Sequence, residues 1–87
     1  AGMLKLKYTL DDLQKDVLTL KLFDHSGKEI KLKEKELQAE YGDNRYIFEI
    51  KDKYDLRHFQ KYRLEITNTQ GRKYILYFKY ANPDLIK

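Results

Sequence analysis

The chain has no cysteine, no tryptophan and a single proline among its 87 residues. Without cysteine it has no disulfide, no thiolate metal site and no cysteine nucleophile. No apolar run is long enough to span a membrane as a helix, and no signal peptide is visible. The first residues, "AGM", resemble a cloning remnant followed by a start methionine. We therefore expect a domain cut from a longer protein, for which missing signals carry no information.

Charge of one sign is also scarce, because 18 basic residues are set against 14 acidic ones, a net charge of +4. Signs alternate in stretches such as "KEIKLKEKE", which is typical of a solvated mixed surface. The small excess predicts no more than weak, nonspecific attraction to nucleic acid, which is therefore not the expected partner. A chain of this length forms one domain with a thin core, so no deep active-site cavity is expected.

Apolar and polar residues alternate along most of the sequence, and this period of two predicts half-buried β-strands. Turn formers such as "DHSG", "GDN" and "NTQG" separate the alternating stretches and favour hairpins. The predicted strands cover 3–10, 17–23, 28–33, 34–41, 45–51, 61–67 and 72–80. This pattern predicts an all-β fold, a seven-stranded antiparallel β-sandwich of the immunoglobulin-like type. We expect a single domain at 3–80 and a linker at 81–87.

One segment, 34–41, is ambiguous between a strand and a helix. "EKELQAEY" lacks β-branched residues and contains good helix formers. Leu37, Ala39 and Tyr41 nevertheless alternate with polar residues, and "GDN" follows them. We therefore predict a short strand that forms a hairpin with the next one. The alternative is an α+β fold with one short helix at 34–41.

The stretch "LRHFQKYRLEIT" places Leu56 in a loop and Tyr62 second in the following strand. This spacing resembles the tyrosine corner of fibronectin type III and other immunoglobulin-like modules, in which the tyrosine binds the loop backbone. Asn68 and Gly71 would match the Asn and Gly that follow in that family. The stretches "LTLKLFDHSGKEI", "YDLRHF" and "YRLEITNTQGRKYILYFKY" also look like the C-terminal sorting domains of type IX secretion cargo, which are small sandwiches too.

Candidate chemical sites are few. Asp24, His25 and Ser26 occupy one turn, where neighbouring residues cannot line up a nucleophile, a base and an orienting acid, so we interpret them as turn formers. Asp11, Asp12 and Asp16 cluster in one loop, and Asp52 and Asp55 cluster in another. Neither cluster has the spacing of a calcium loop. We therefore predict no enzyme, no metal site and no cofactor.

The aromatic and apolar surface is the most informative feature. In 45–51 the predicted inward residues are Tyr46, Phe48 and Ile50, and in 72–80 they are Tyr74, Leu76, Phe78 and Tyr80. Ile47, Ile75 and Tyr77 fall on the opposite faces of these strands, and Tyr80 is expected to reach the surface at the end of its strand. Exposed apolar patches of this kind mark contacts with partners or ligands. Lys73 and Lys79 flank the patch and would meet acidic groups. The alternative is that these side chains pack on a neighbouring loop or an adjoining domain.

The sequence thus predicts a non-catalytic binding or spacer module of a larger surface or secreted protein, in a bacterium and outside the cell. A protein partner or an adjoining domain is the expected contact. Two alternatives remain open. One is a carbohydrate-binding module that uses exposed tyrosines, and the other is a weak nucleic-acid-binding domain.

Overall fold

The computed structural model describes residues 3–11, 13–49, 54 and 56–81, and these residues form seven β-strands and no helix. The strands are β1 (Met3–Leu10), β2 (Asp16–Phe23), β3 (Glu29–Ile30), β4 (Glu36–Ala39), β5 (Gly42–Glu49), β6 (Lys61–Thr67) and β7 (Lys73–Lys79). The predicted linker lies outside the described residues from residue 82 onward. No described segment forms a helix that is both long and apolar enough to span a membrane.

The strands form two antiparallel sheets of unequal size. The smaller sheet contains β1 and β5, and the larger has the order β3-β2-β6-β7. Strand β4 also pairs with β2, next to the start of β2, whereas β3 pairs with its end. The prediction of an all-β fold with seven antiparallel strands is therefore confirmed.

One core fills the space between the sheets, and both sheets contribute to it. Because side chains alternate along a strand, every second residue of β1, β2 and β6 faces this core. The buried apolar residues are Leu6, Leu10, Leu18, Leu20, Leu22, Leu37, Ala39, Tyr62, Leu64, Ile66 and Tyr80. Two sheets that enclose one core are compatible with a β-sandwich.

The segment 34–41 contains strand β4, and the alternative helix is wrong. Leu37 and Ala39 are buried in the core, as the alternation predicted, whereas Tyr41 is exposed. The predicted hairpin is also wrong, because β4 and β5 belong to different sheets. At the crossing, Gly42 has a φ of 98°, a backbone conformation that side chains disfavour. Asn44 then fixes the turn, since its amide donates to the Glu40 carbonyl at 2.8 Å and accepts from the Glu40 N–H at 3.0 Å.

Two side-chain contacts between the sheets show which strands face each other. The Tyr46 hydroxyl of β5 donates to the Gln38 carbonyl of β4 at 2.7 Å, so β5 lies over the β4 edge of the larger sheet. At the other edge, the Tyr8 ring of β1 contacts the Tyr74 ring of β7 edge to face, with centroids 5.8 Å apart. Strands β1 and β7 therefore share one side of the molecule.

Candidate binding face

Strand β7 presents two rows of side chains, and its outer row contains Lys73, Ile75, Tyr77 and Lys79. The register with β6 fixes this row, because Ile75 lies opposite Glu65 and Tyr77 lies opposite Arg63. Ile75 is 46% exposed and Tyr77 is 74% exposed. The structure thus brings together four of the predicted contact residues on the outer side of the larger sheet.

The neighbouring strands surround this apolar centre with positive charge. Alternation along β2, β6 and β7 brings five basic side chains to the same outer surface: Lys21, Lys61, Arg63, Lys73 and Lys79. We call these five residues, together with Ile75 and Tyr77, the cationic face. Glu65 is the single acidic residue of these three strands on that surface. It pairs with Arg63 Nε at 3.0 Å and with Lys73 Nζ at 3.1 Å.

Two further aromatic rings lie at the margins of the cationic face. The Arg63 guanidinium lies 4.5 Å from the centre of the Phe23 ring, and Lys79 Nζ lies 5.5 Å from that of Phe59. Such contacts between a cation and an aromatic face are attractive. Phe59 is exposed and has a φ of 60°, which is uncommon for a bulky residue. Sequence reasoning missed both rings. Alternation along β2 places Phe23 on the outer side of the sheet, so its position could have been predicted. Phe59 lies in a turn, where no alternating pattern predicts the direction of the side chain.

Two predicted contact residues do not belong to this surface. Ile47 lies in β5 of the other sheet, opposite Lys5, and is exposed on the outer side of that sheet. Tyr80 is only 4% exposed, so the prediction that it reaches the surface is wrong. The reason is that Tyr80 continues the inward phase of β7. Its N–H donates to the Gln60 carbonyl at 3.0 Å, and its carbonyl accepts from the Phe59 N–H at 2.6 Å.

The predicted corner residues lie beside the core. Tyr62 is buried, and its hydroxyl oxygen accepts a hydrogen bond from the Arg57 N–H at 2.7 Å. Leu56, one residue earlier in the loop, is half-buried against the core. This contact ties the 56–60 loop to the start of β6, next to the end of β7 that carries Lys79.

Asp24, His25 and Ser26 form a closed turn rather than a catalytic arrangement. The Ser26 hydroxyl donates to Asp24 Oδ1 at 2.6 Å, and the N–H groups of Ser26 and Lys28 donate to the same oxygen at 2.9 and 3.0 Å. The hydrogen bond from Ser26, followed by that from Lys28, lowers the pKa of the Asp24 carboxyl. His25 is exposed. The serine proton is thus directed at the carboxylate and not at the imidazole.

Asp16 is buried and holds two loops together. Its Oδ1 accepts from the Thr69 hydroxyl at 2.8 Å, from the Thr69 N–H at 3.2 Å and from the Val17 N–H at 2.7 Å. The Thr69 hydroxyl is the main cause of a lowered pKa at this carboxyl. Asp12, Asp52 and Asp55 lie outside the described residues. Among the described residues, no three His, Asp or Glu side chains cluster as metal ligands.

A cavity of about 300 Å³ opens between the two sheets, although the sequence predicted no deep cavity. Its walls are mainly apolar side chains from β2, β5 and β7, such as Leu22, Phe48 and Phe78, and Glu34 and Glu49 also line it. The described residues that line it include no histidine.

No protein-family model matches the chain, and comparison with curated proteins and with solved structures finds no significant similarity.

Proposed function

We propose that this chain is a non-catalytic binding module of a larger surface or secreted protein, and that the cationic face contacts a protein partner. The observation that carries this proposal is the exposure of Ile75 and Tyr77 in the middle of five cations. Apolar side chains at the centre and charges at the rim are the usual anatomy of a protein interface. Tyrosine and arginine are also the side chains enriched among interface residues that dominate affinity.

The charges of the cationic face support a partner with an acidic surface. Glu65 offsets only part of the positive charge of the cationic face, since it already pairs with both Arg63 and Lys73. A partner with an apolar or aromatic centre and an acidic rim would complement this surface. Lys61 and Lys79 lie opposite each other across β6 and β7, so an acidic group between them would relieve their repulsion.

The strand order supports an immunoglobulin-like type for this module. In immunoglobulin domains, strands B and E pair in one sheet and strands C, F and G form the other. Here β1 pairs with β5, and β2, β6 and β7 are consecutive neighbours in the second sheet. The contact between the Tyr62 hydroxyl and the backbone of Arg57, at 2.7 Å, also fits the tyrosine corner of these domains. Many cell-surface domains share this sandwich architecture, which fits a module of a surface or secreted protein.

Peptide display tests the protein-binding proposal directly. Peptides that bind the 87-residue chain are selected from a library rich in acidic and aromatic residues. Selected peptides should lose about tenfold or more in affinity for Tyr77→Ala, because central tyrosines commonly contribute over 1 kcal/mol. Tyr41→Ala is the matched control, since Tyr41 is also exposed but follows β4. Peptides that bind the two variants equally well would contradict the proposal.

Nucleic-acid binding is the second candidate, and the five cations of the cationic face favour it. Aromatic rings beside basic residues suit single strands, since bases stack on rings while phosphates pair with cations. Binding of an oligonucleotide should then weaken steeply with salt. Lys61→Glu combined with Lys79→Glu should flatten that dependence. Weak association that does not respond to salt would remove this candidate. A glycan array with the Tyr77→Ala control tests the carbohydrate alternative in the same way.

A further inference from the structure

Strands β1 and β7 lie on one side of the molecule, and each has one open edge. Among the described residues, β1 pairs with β5 alone and β7 pairs with β6 alone. Each strand therefore directs a row of backbone N–H and C=O groups away from its neighbour. Such an edge is a template for pairing with a further strand.

The surface beneath the open edge of β1 is apolar and incompletely covered. Leu76 and Tyr74 lie on the inner side of β7, opposite Leu64 and Ile66 of β6. Leu76 is 43% exposed, whereas Leu64 is 3% exposed. A groove of about 250 Å³ runs here between β1 and β7, lined by Leu6, Lys7, Tyr8, Thr9, Ile66, Tyr74 and Leu76. A strand placed about 4.8 Å beyond β1 would lie over this groove and bury its apolar residues.

The outer side of β1 carries positive charge beside the open edge. Lys5 lies opposite Ile47 in the pairing with β5, so it has no acidic residue directly across that strand pair. Lys7 pairs with Asp43 at 3.8 Å, and both side chains remain more than half exposed. A strand on the open edge would place its outward side chains directly opposite Lys5 and Lys7. Acidic residues are favourable there, and basic residues are not.

The same lysines argue against a second copy of this chain. In a two-fold antiparallel pairing of β1 with itself, residues on the same side lie opposite each other. A pairing centred on Lys5, Leu6 or Lys7 then places lysine opposite lysine. Like charges directly across a strand pair are destabilising, and lysines on an edge strand oppose self-association.

We propose that the open edge of β1 accepts an extended strand from another polypeptide, in which apolar residues alternate with acidic ones. Its apolar side chains cover Tyr74 and Leu76, and its acidic side chains pair with Lys5 and Lys7. Backbone hydrogen bonds to β1 give affinity, and the alternating side chains give specificity. The site lies on the inner side of β7, so it is independent of the cationic face on the outer side.

Two peptides of alternating sequence, each as long as the 8-residue β1, test this proposal. One alternates valine with glutamate, and the other alternates valine with lysine. In an NMR titration of isotope-labelled protein, the glutamate peptide should bind. Its binding should change the chemical shifts of the β1 backbone and of the Tyr74 and Leu76 side chains. Lys5→Glu combined with Lys7→Glu should weaken this binding about tenfold and favour the lysine peptide instead. Tyr77→Ala should leave both affinities unchanged.

A backbone control separates strand pairing from general attraction. Alternate residues of a strand direct their N–H groups to opposite edges, so N-methylation of one alternating set should abolish binding and methylation of the other should preserve it. Equal binding of both methylated peptides, or no binding of the glutamate peptide at all, would overturn the proposal. So would a concentration-dependent dimer whose formation excludes the peptide, because a second copy would then occupy the edge.

Discussion

Strands β6 and β7 are neighbours in one hairpin, yet their inner side chains have very different surroundings. On β6, Leu64 and Ile66 are almost completely buried, whereas Leu76 and Tyr74 directly opposite them on β7 stay partly exposed. In sequence, β6 alternates apolar and polar residues, whereas the five residues from Tyr74 to Phe78 of β7 are all apolar or aromatic. On this side of the molecule the smaller sheet ends at β1, which contacts β7 through the Tyr8 and Tyr74 rings. Burial is therefore decided by what the opposite sheet places above each strand.

Leucine truncation gives the largest expected difference between the two strands. Leu64→Ala should lower the free energy of unfolding by about 2–5 kcal/mol, because it leaves a cavity in a closed core. Leu76→Ala removes the same atoms from a partly exposed site, so its cost should be well below that of Leu64→Ala. Urea denaturation of both variants measures the two values. Equal costs would show that β7 is as deeply buried as β6.

Asp16 tests whether the turn that joins β6 to β7 is held from outside the hairpin. Asp16→Ala leaves the Thr69 N–H and hydroxyl without their acceptor, and we expect a loss of about 1–3 kcal/mol. Asp24→Ala is the control, since Asp24 makes a similar set of bonds within its own turn. Its effect on urea denaturation should be smaller.

The same carboxyl predicts a pH dependence of stability. Hydrogen bonds from Thr69 lower the pKa of Asp16 in the folded state. The group therefore stabilises the fold above its unfolded pKa of about 3.9, and this contribution is lost as the pH falls below that value. Thermal melts between neutral and acidic pH should show this loss in the wild type. The melting temperature of Asp16→Asn should change less over the same pH range. If Asp16→Asn and the wild type showed the same pH dependence, the stabilising role of the Asp16 carboxylate would be contradicted.

The hydroxyl groups of two tyrosines give the next contrast. Tyr62→Phe should cost on the order of 1 kcal/mol, because the Arg57 N–H loses its acceptor beside the core. Tyr77→Phe changes an exposed side chain on the outer side of β7 and should be nearly neutral. Thermal or urea denaturation of the two variants compares them. An unchanged midpoint for Tyr62→Phe would refute the structural role of this hydroxyl.

The smallest stability effect belongs to the cationic face. Tyr77→Ala and Lys79→Ala should each change the free energy of unfolding by less than about 0.5 kcal/mol, since both side chains are exposed. Binding to selected partner peptides should nevertheless fall for Tyr77→Ala. Loss of both stability and binding would instead show that the outer row of β7 is part of the folded core.

The alternation of residues predicted much of the fold, because a strand with one buried face must place apolar side chains at every second position. Strand β1 has the predicted bounds, and the inward leucines of β2 and β6 are buried. The last hairpin also follows the sequence, since "NTQG" joins two strands that pair directly. Local periodicity and turn formers were sufficient for these elements.

Pairing between distant strands could not be predicted in this way. "GDN" was expected to join a hairpin, but Gly42 and Asn44 direct the chain from one sheet to the other. Ile47 and Ile75 both face outward, as predicted, but they do not form one patch. Because β5 pairs with β1 and β7 pairs with β6, the two residues lie on different sheets. The single-strand pattern determines which side a residue occupies, but the partner strand determines which residues surround it.

Amide hydrogen exchange along β1 and β7 tests the central claim that both strands have an open edge. In each strand, alternate N–H groups point to the paired neighbour and to the open side. We expect slow and fast exchange to alternate along both strands, in contrast to uniformly slow exchange through β2 and β6. Uniform protection along β1 or β7 would contradict it, because a further strand would then already occupy that edge.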